Sequence, residues 1–193
     1  MKKNLITAIL MTIATTILLG IIYPLIVTGL AQVLFPRQAN GQLITKNGKV
    51  IGSAILAQGF TSPAYFHPRA SAAGNGYDPT NTNGSQLGPT NQKLIDRVKG
   101  DVAGAQAENP GAPIPIDLVT TSASGLDPDI TPANARFQAP RVAHERNATA
   151  ADIEKLVAEH TSNRQWGFLG EPRVNVLELN LALDEHFPQA KKQ

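Results

Sequence analysis

From Asn4 to Pro36 the chain carries no Asp, Glu, Lys, Arg or His, and Leu5–Phe35 is an almost unbroken apolar run. A helix crosses a hydrocarbon core of ~30 Å with about 20 mainly apolar residues, and this run exceeds that. A cleaved leader has an apolar stretch of roughly 7–15 residues closed by a small-x-small site. This run is about twice as long and no clean site closes it, so it reads as a retained span. Pro24 would break an exposed helix, but a membrane helix tolerates proline when neighbouring helices or hydroxyls satisfy the freed carbonyl. Thr12, Thr16, Gly20, Pro24 and Thr28 supply the small and hydroxyl-bearing residues that favour close contact between helices in lipid. Lys2 and Lys3 lie on one side and Arg37 on the other. The positive-inside bias therefore predicts a short cytoplasmic N-terminus (1–4), a span (5–35) and an extracytoplasmic domain (36–193).

The charge balance of that domain excludes one class of partner. The pI near 9.0 suggests nucleic acid, but two of the 17 bases are Lys2 and Lys3. No acid occurs before Asp78, so 15 bases face 15 acids after the span. A neutral domain has no general footprint for a phosphate backbone. The stretch 37–77 holds Arg37, Lys46, Lys49 and Arg69 without an acid, a local basic bias at most. There is no cysteine, which excludes disulfides, thiolate metal sites and a Cys nucleophile.

Along the domain, Gln42–Thr45 and Val50–Leu56 flank Lys46-Asn47-Gly48-Lys49. Asn-Gly between strand-like runs predicts a hairpin, because a type I′ turn needs positive φ at both central residues. Residues 71–92 are crowded with Gly, Asn, Ser, Thr and Pro, show no period, and read as a long loop. Thr90-Asn91 opens a helix carrying Leu94, Ile95, Val98 and Val102 on one face, ended by Gly104 and Asn109-Pro110-Gly111. Ile116–Val119 reads as a short buried strand. Thr149 with Asp152 reads as a capping box ahead of a helix with Ile153, Leu156 and Val157 inward. Val176, Leu179, Leu183 and Phe187 fit a last helix capped by Asn175, although the alternation Val174, Val176, Leu179, Leu181, Leu183 fits a strand almost as well. Short strands among helices predict a single compact mixed α+β domain.

Chemistry is sparse. Gly41…Gly48-Lys49 fails as a phosphate loop, because its spacer is too long and Val50 stands where Ser or Thr is needed. Ser122-Ala123-Ser124-Gly125 lacks the nucleophile elbow and a nearby His, so its hydroxyls and Gly125 read as a turn. Asp127-Pro128-Asp129 lacks the ligand count of a calcium loop and reads as a cap or turn. His67, His144, His160 and His186 show no metal spacing. Trp166 with Phe168 and Leu169 reads as a core plug or a docking knuckle. No catalytic residue, metal ligand or intrinsic cofactor is expected.

The residues nevertheless carry a resemblance in ordered blocks: Tyr65-Phe66-His67-Pro68-Arg69 with Ser71–Gly74, Ser85–Asn91, Asp117–Pro128, Pro140–Ala143, and Gly170–Asp184. Together with the N-terminal span they resemble the C subunit of the bacterial Kdp potassium-transporting ATPase over essentially the whole chain. The resemblance implies a non-catalytic, single-pass subunit of a bacterial cell-membrane complex. Its partners would be a channel-like subunit that handles potassium and a P-type ATPase subunit that hydrolyses ATP. The family is credited with stabilising the complex and with acting as a catalytic chaperone that raises ATP affinity, ATP binding being attributed to the C subunit itself. Cytosolic ATP does not reach an outside domain, so the topology predicts that any such effect passes through membrane helices as allosteric coupling. Ser122, Ser124, Gly125, Leu126, Asp127 and Pro128, with the 71–92 loop, are the expected partner-facing surface. The rival classes are an anchored ligand-binding protein acting alone and an anchored hydrolase using Ser122 or Ser124.

Overall fold

In the computed structural model, which describes residues 1–189, the apolar run forms one continuous helical element, Lys2–Leu34. Its 33 residues extend about 50 Å at 1.5 Å per residue. It is the one helix among the described residues long and apolar enough to cross a membrane. Its three parts are α1 (Lys2–Ile17), a π-helical turn (Leu18–Ile22) and α2 (Tyr23–Leu34). The π-turn sits where Pro24 enters the helix. Proline has no N–H, and its ring clashes with the carbonyl four residues back. The chain widens here, and Tyr23 N–H donates to Leu18 O, five residues back. The proline is thus accommodated at a π-bulge. The helix ends at Phe35, whose φ of −137° is non-helical.

The one-turn helix α3 (Pro36–Ala39) follows, then a hairpin of β1 (Leu43–Lys46) and β2 (Lys49–Ser53). Asn47 and Gly48 at its tip have φ of 52° and 75°, as a type I′ turn requires. The chain divides into two compact units, with the boundary between Ile51 and Gly52.

The second unit is mixed α/β with helices predominating. Its helices are α4 (Gln92–Glu108), α5 (Ile116–Val119), α6 (Pro132–Arg146), α7 (Ala150–Glu159) and α8 (Val176–His186). Its small antiparallel sheet has the order β3 (Asp129–Ile130), β5 (Arg173–Asn175), β4 (Thr161–Ser162), with Ile130 and Thr161 both opposite Val174. Helix α4 is capped by Asn91, which accepts from Lys93 N–H, and runs through Gly104 to Asn109. Thr149 and Asn175 cap α7 and α8 as their sequences predict. Val174 lies in a strand and Val176 opens a helix, so each of the competing readings of this stretch holds for part of it.

Ile116–Val119 is not a strand but a single helical turn entered from Pro115. Curling the chain here turns Asp117 inward, where it is 6% exposed. Its carboxylate accepts from Thr131 N–H at 2.8 Å, Thr131 Oγ1 at 3.0 Å and Asn134 Nδ2 at 3.1 Å. The segment therefore anchors the N-terminus of α6. Apolar periodicity does not mark that fifteen-residue helix, because its buried face includes Asn134, Gln138, Arg146 and alanines. Pro140 lies on the exposed side of this helix, as does Arg136 one turn before it.

These polar residues have a common task. The segment from Pro63 to Arg69 crosses α6 and α8 without strand neighbours, yet Phe66 is fully buried. Asn180 of α8 takes both backbone groups of Phe66, accepting its N–H and donating to its carbonyl, each at 2.9 Å. Gln138 of α6 does the same for His67, at 2.8 and 3.0 Å. Arg146, with a fully buried side chain, donates to the carbonyls of Ala64 and Phe187 and pairs with Asp184 at 2.9 Å. Its guanidinium carbon lies 4.6 Å from the Tyr65 ring, which gives the cation an attractive face where no oxygen reaches Nη2. Replacing Asn180 by Leu keeps the branched shape but strands two buried backbone groups at about 1–3 kcal/mol each. Chemical denaturation of the full chain should show a loss of about 3 kcal/mol, and thermal unfolding a Tm lower by roughly 10 °C.

Candidate functional site

The turn Ser122–Pro128 and the loop 71–92 form one structure. Ser122 N–H donates to Ala70 O at 3.3 Å and Asn83 N–H to Ser124 O at 3.1 Å. Ser71 Oγ donates to Gly125 O at 2.6 Å and accepts the N–H groups of Ala73 and Tyr77 at 3.1 and 2.9 Å. One hydroxyl thus folds the loop's first turn and ties it to Gly125. Farther along, Ala57 N–H donates to Leu126 O and Val176 N–H to Pro128 O, both at 3.0 Å. Backbone spacing requires glycine at 125. Its φ is +71°, and a Cβ there would lie 2.6 Å from Ala73 Cβ and 2.8 Å from Asn83 O.

Arg69 closes the other end. It pairs with Asp127 at 3.0 Å and donates through Nη2 to Thr120 Oγ1 and Thr121 O at 3.3 and 3.2 Å. Asp127 also accepts from Asp129 N–H at 3.1 Å. Asp129 pairs with Arg173 at 3.0 Å. Burial raises the Asp129 pKa, Arg173 opposes that shift and Asp127 adds to it. These groups line a cleft of ≈ 290 Å³ together with Asp117 and Glu171. The carboxylates of Asp127 and Asp129 are thus engaged by guanidinium groups, and no cluster of three potential metal ligands exists among the described residues.

Ser122, Gly125 and Leu126 face inward and are buried, Asp127 and Pro128 are half-buried, and Ser124 is exposed beside Ala123. Ser124 Oγ accepts from Leu126 N–H at 3.1 Å, and Ser122 Oγ is buried with no hydrogen-bond partner. Ser122 Oγ thus has no base beside it and Ser124 Oγ meets a backbone N–H, so neither candidate nucleophile of the hydrolase reading is paired with a base. The segment Tyr65–Arg69 supplies Arg69, which in the sequence stands out only as one base of the acid-free stretch 37–77. Its conjunction of an extended stretch with Arg and Pro gave no local sign of that role. His67 is half-buried, and its Nε2 lies 3.0 Å from Ser62 O. Desolvation lowers its pKa below the ordinary 6.5, and Arg141 acts in the same direction.

In the apolar helix Thr12, Thr16, Gly20, Pro24 and Thr28 are all exposed, spaced by four residues, with Gly20 inside the π-turn and the others flanking it. Thr12 Oγ1 donates to Ala8 O at 2.9 Å, so its hydroxyl is satisfied within its own helix. Trp166, at 85% exposure, is a knuckle and not a core plug. Its turn is closed by paired backbone bonds between Gln165 and Leu169, both 2.9 Å, and by Arg164–Glu171.

Fold and site define the class: a helix of membrane-spanning length joined to an α/β domain that shows no catalytic constellation among its described residues. The chain belongs to the KdpC family, described as K+-transporting ATPase, c chain, whose family model matches residues 5–185. It is 66% identical to the potassium-transporting ATPase KdpC subunit of Koribacter versatilis over 184 residues, 95% of each chain. It is 58% identical to that of Acidobacterium capsulatum, covering 95% of this chain and 98% of the relative. It is 57% identical to that of Rhodospirillum rubrum, covering 98% and 100%. Gly125→Ala, which places a methyl group against Ala73, should open the loop. Limited proteolysis of the full chain should then cut within 71–92 at least several-fold faster than in wild type, with α8 still protected.

Proposed function

We propose that this chain is a non-catalytic accessory subunit of a potassium-transporting P-type ATPase complex in the bacterial cell membrane. The similarity to KdpC subunits along nearly the full length is the observation that carries this reading. The helix Lys2–Leu34 anchors the subunit, with its N-terminus cytoplasmic and its domain outside. Lys2 and Lys3, before an uncharged stretch that lasts to Pro36, support that orientation. The partners are the channel-like subunit that handles potassium and the subunit that hydrolyses ATP.

The turn Ser122–Pro128 and the loop 71–92 face the potassium-handling partner. The inward residues Ser122, Gly125 and Leu126 fix the loop, and Ala123 and Ser124 present the outer surface. Preorganisation lowers the ordering cost of docking. Within the bilayer, Thr12, Thr16, Gly20, Pro24 and Thr28 pack against partner spans. The subunit raises the ATP affinity of the hydrolysing subunit as a catalytic chaperone, without holding ATP itself. It does so through the span, by binding two states of the pump with different affinity, which is all that coupling requires.

Ala123→Arg adds a long charged side chain at an exposed position and leaves the internal contacts of the turn in place. Co-purification of this subunit with its partners should fall about tenfold, the scale of one interface hot spot, and potassium-stimulated ATPase activity should fall with it. Unchanged co-purification and activity would remove the turn from the interface.

A further inference from the structure

Beyond Ser162 and Arg173, which pair in β4 and β5, the chain continues as a hairpin arm. Arg164 faces Glu171 across it in the same register, at 2.6 Å, and Gln165 and Leu169 close it with two backbone bonds of 2.9 Å. That last pair is one residue out of register, and Gly170, at φ of 78°, takes up the extra residue as a bulge does. At the tip Trp166 and Gly167 have φ of 52° and 83°. A bulky side chain in the left-handed region is strained, and Trp166 gains little from packing in return. It is 85% exposed, with Phe168 at 69% and Leu169 at 42% beside it. The arm thus holds three large apolar side chains on a hydrogen-bonded tip, outside the core.

The chemistry of the tip and its tether select what covers it. From Gln165 to Gly170 no side chain is ionisable, and the charges at the base of the tip, Arg164 and Glu171, pair with each other. The tip therefore leaves water without stripping a charge. Its three side chains expose roughly 400 Å² of apolar surface. A specific protein contact takes about 800 Å² from each partner, which the tip alone does not supply. A bilayer surface asks less of it. The same chain carries a helix of membrane-spanning length, and a tethered second contact forms at high effective concentration. Trp, Phe and Leu are also the side chains that settle at the boundary between headgroups and acyl chains. We propose that the tip Trp166-Gly167-Phe168-Leu169 inserts into the headgroup–acyl boundary of the bilayer as a second membrane contact of this subunit. The inference rests on anchoring of the chain by Lys2–Leu34 and is independent of the docking assigned to Ser122–Pro128.

Trp166 is the single tryptophan of the chain, so its fluorescence reports the tip alone. The test places the full chain in phosphatidylcholine vesicles that include brominated phosphatidylcholine, with the bromines near either the carbonyl or the methyl end of the acyl chains. Trp166 emission should be blue-shifted and quenched, most strongly by bromines near the carbonyl end. Phe168→Asp, which puts a charge at an exposed tip position, should cut that quenching by at least about half with the far-ultraviolet circular dichroism unchanged. Quenching that Phe168→Asp leaves as in wild type overturns the tip as the inserting unit. Water-like, unquenched emission from a chain that withstands carbonate washing of the vesicles overturns the insertion and leaves the anchor in place. Burial of Trp166 only when the partner subunits are added also overturns it, and gives the tip to a protein contact. Loss of the chain on carbonate washing overturns the anchor and this inference with it.

Discussion

The second unit depends on how the extended segment through Phe66 and His67 is held. A buried stretch of backbone without a strand neighbour leaves donors and acceptors that cost about 1–3 kcal/mol each if unpaired. Asn180 and Gln138, from two helices, each supply one carboxamide that accepts an N–H and donates to the carbonyl of the same residue. A carboxamide has the donor and acceptor of a peptide group, so two side chains stand in for a missing strand. The consequences run in both directions along the chain. Toward the N-terminus, Tyr65 is set against Arg146. Toward the C-terminus, Arg69 is delivered to Asp127, and the loop that follows is laid on the Gly125 turn.

This arrangement explains which parts of the fold were legible from sequence. The membrane-length helix, the Asn47-Gly48 hairpin, and α7 and α8 follow from apolar periodicity or from a turn requirement that few residues meet. Helix α6 carries a weak apolar signal because Asn134, Gln138 and Arg146 share its inward positions with alanines and only two large apolar residues, Phe137 and Val142; the polar groups find partners 41 to 82 residues away in Phe187, His67 and Ala64 or close by in Asp117. Thr131-Pro132 was its one local mark, a cap followed by proline at the first helical position. The apolar residues of Ile116–Val119 suit a strand, but the deciding residue is Asp117, which turns inward to reach Asn134 and Thr131. At the site, the Gly125 turn was legible as a turn. The division into inward Ser122, Gly125 and Leu126 and outward Ala123 and Ser124 was not, since it is set by Ala70, Ser71 and Asn83. The blocks that carried the family resemblance are largely these joints: Tyr65–Arg69, Ser71–Gly74, Asp117–Pro128, and the last block with Asn175, Asn180 and Asp184.

In the apolar helix the π-turn before Pro24 gives the proline ring room without breaking the element. A π-turn also shifts helical phase, so the four-residue series of Thr12, Thr16, Gly20, Pro24 and Thr28 is carried across it rather than along a uniform α-helix. Under the function proposed above, the effect on ATP affinity is assigned to this helix. On that account its helix carries the coupling, and its domain supplies a rigid outer contact.

That account stands or falls on sidedness. The decisive measurement is protease accessibility of the domain in sealed right-side-out and inside-out membrane vesicles, with the assembled complex present. Cleavage in right-side-out vesicles and protection in inside-out ones is the predicted result, and it restricts any effect on ATP affinity to coupling through membrane helices. Cleavage only in inside-out vesicles would put the domain on the side of ATP and contradict the account.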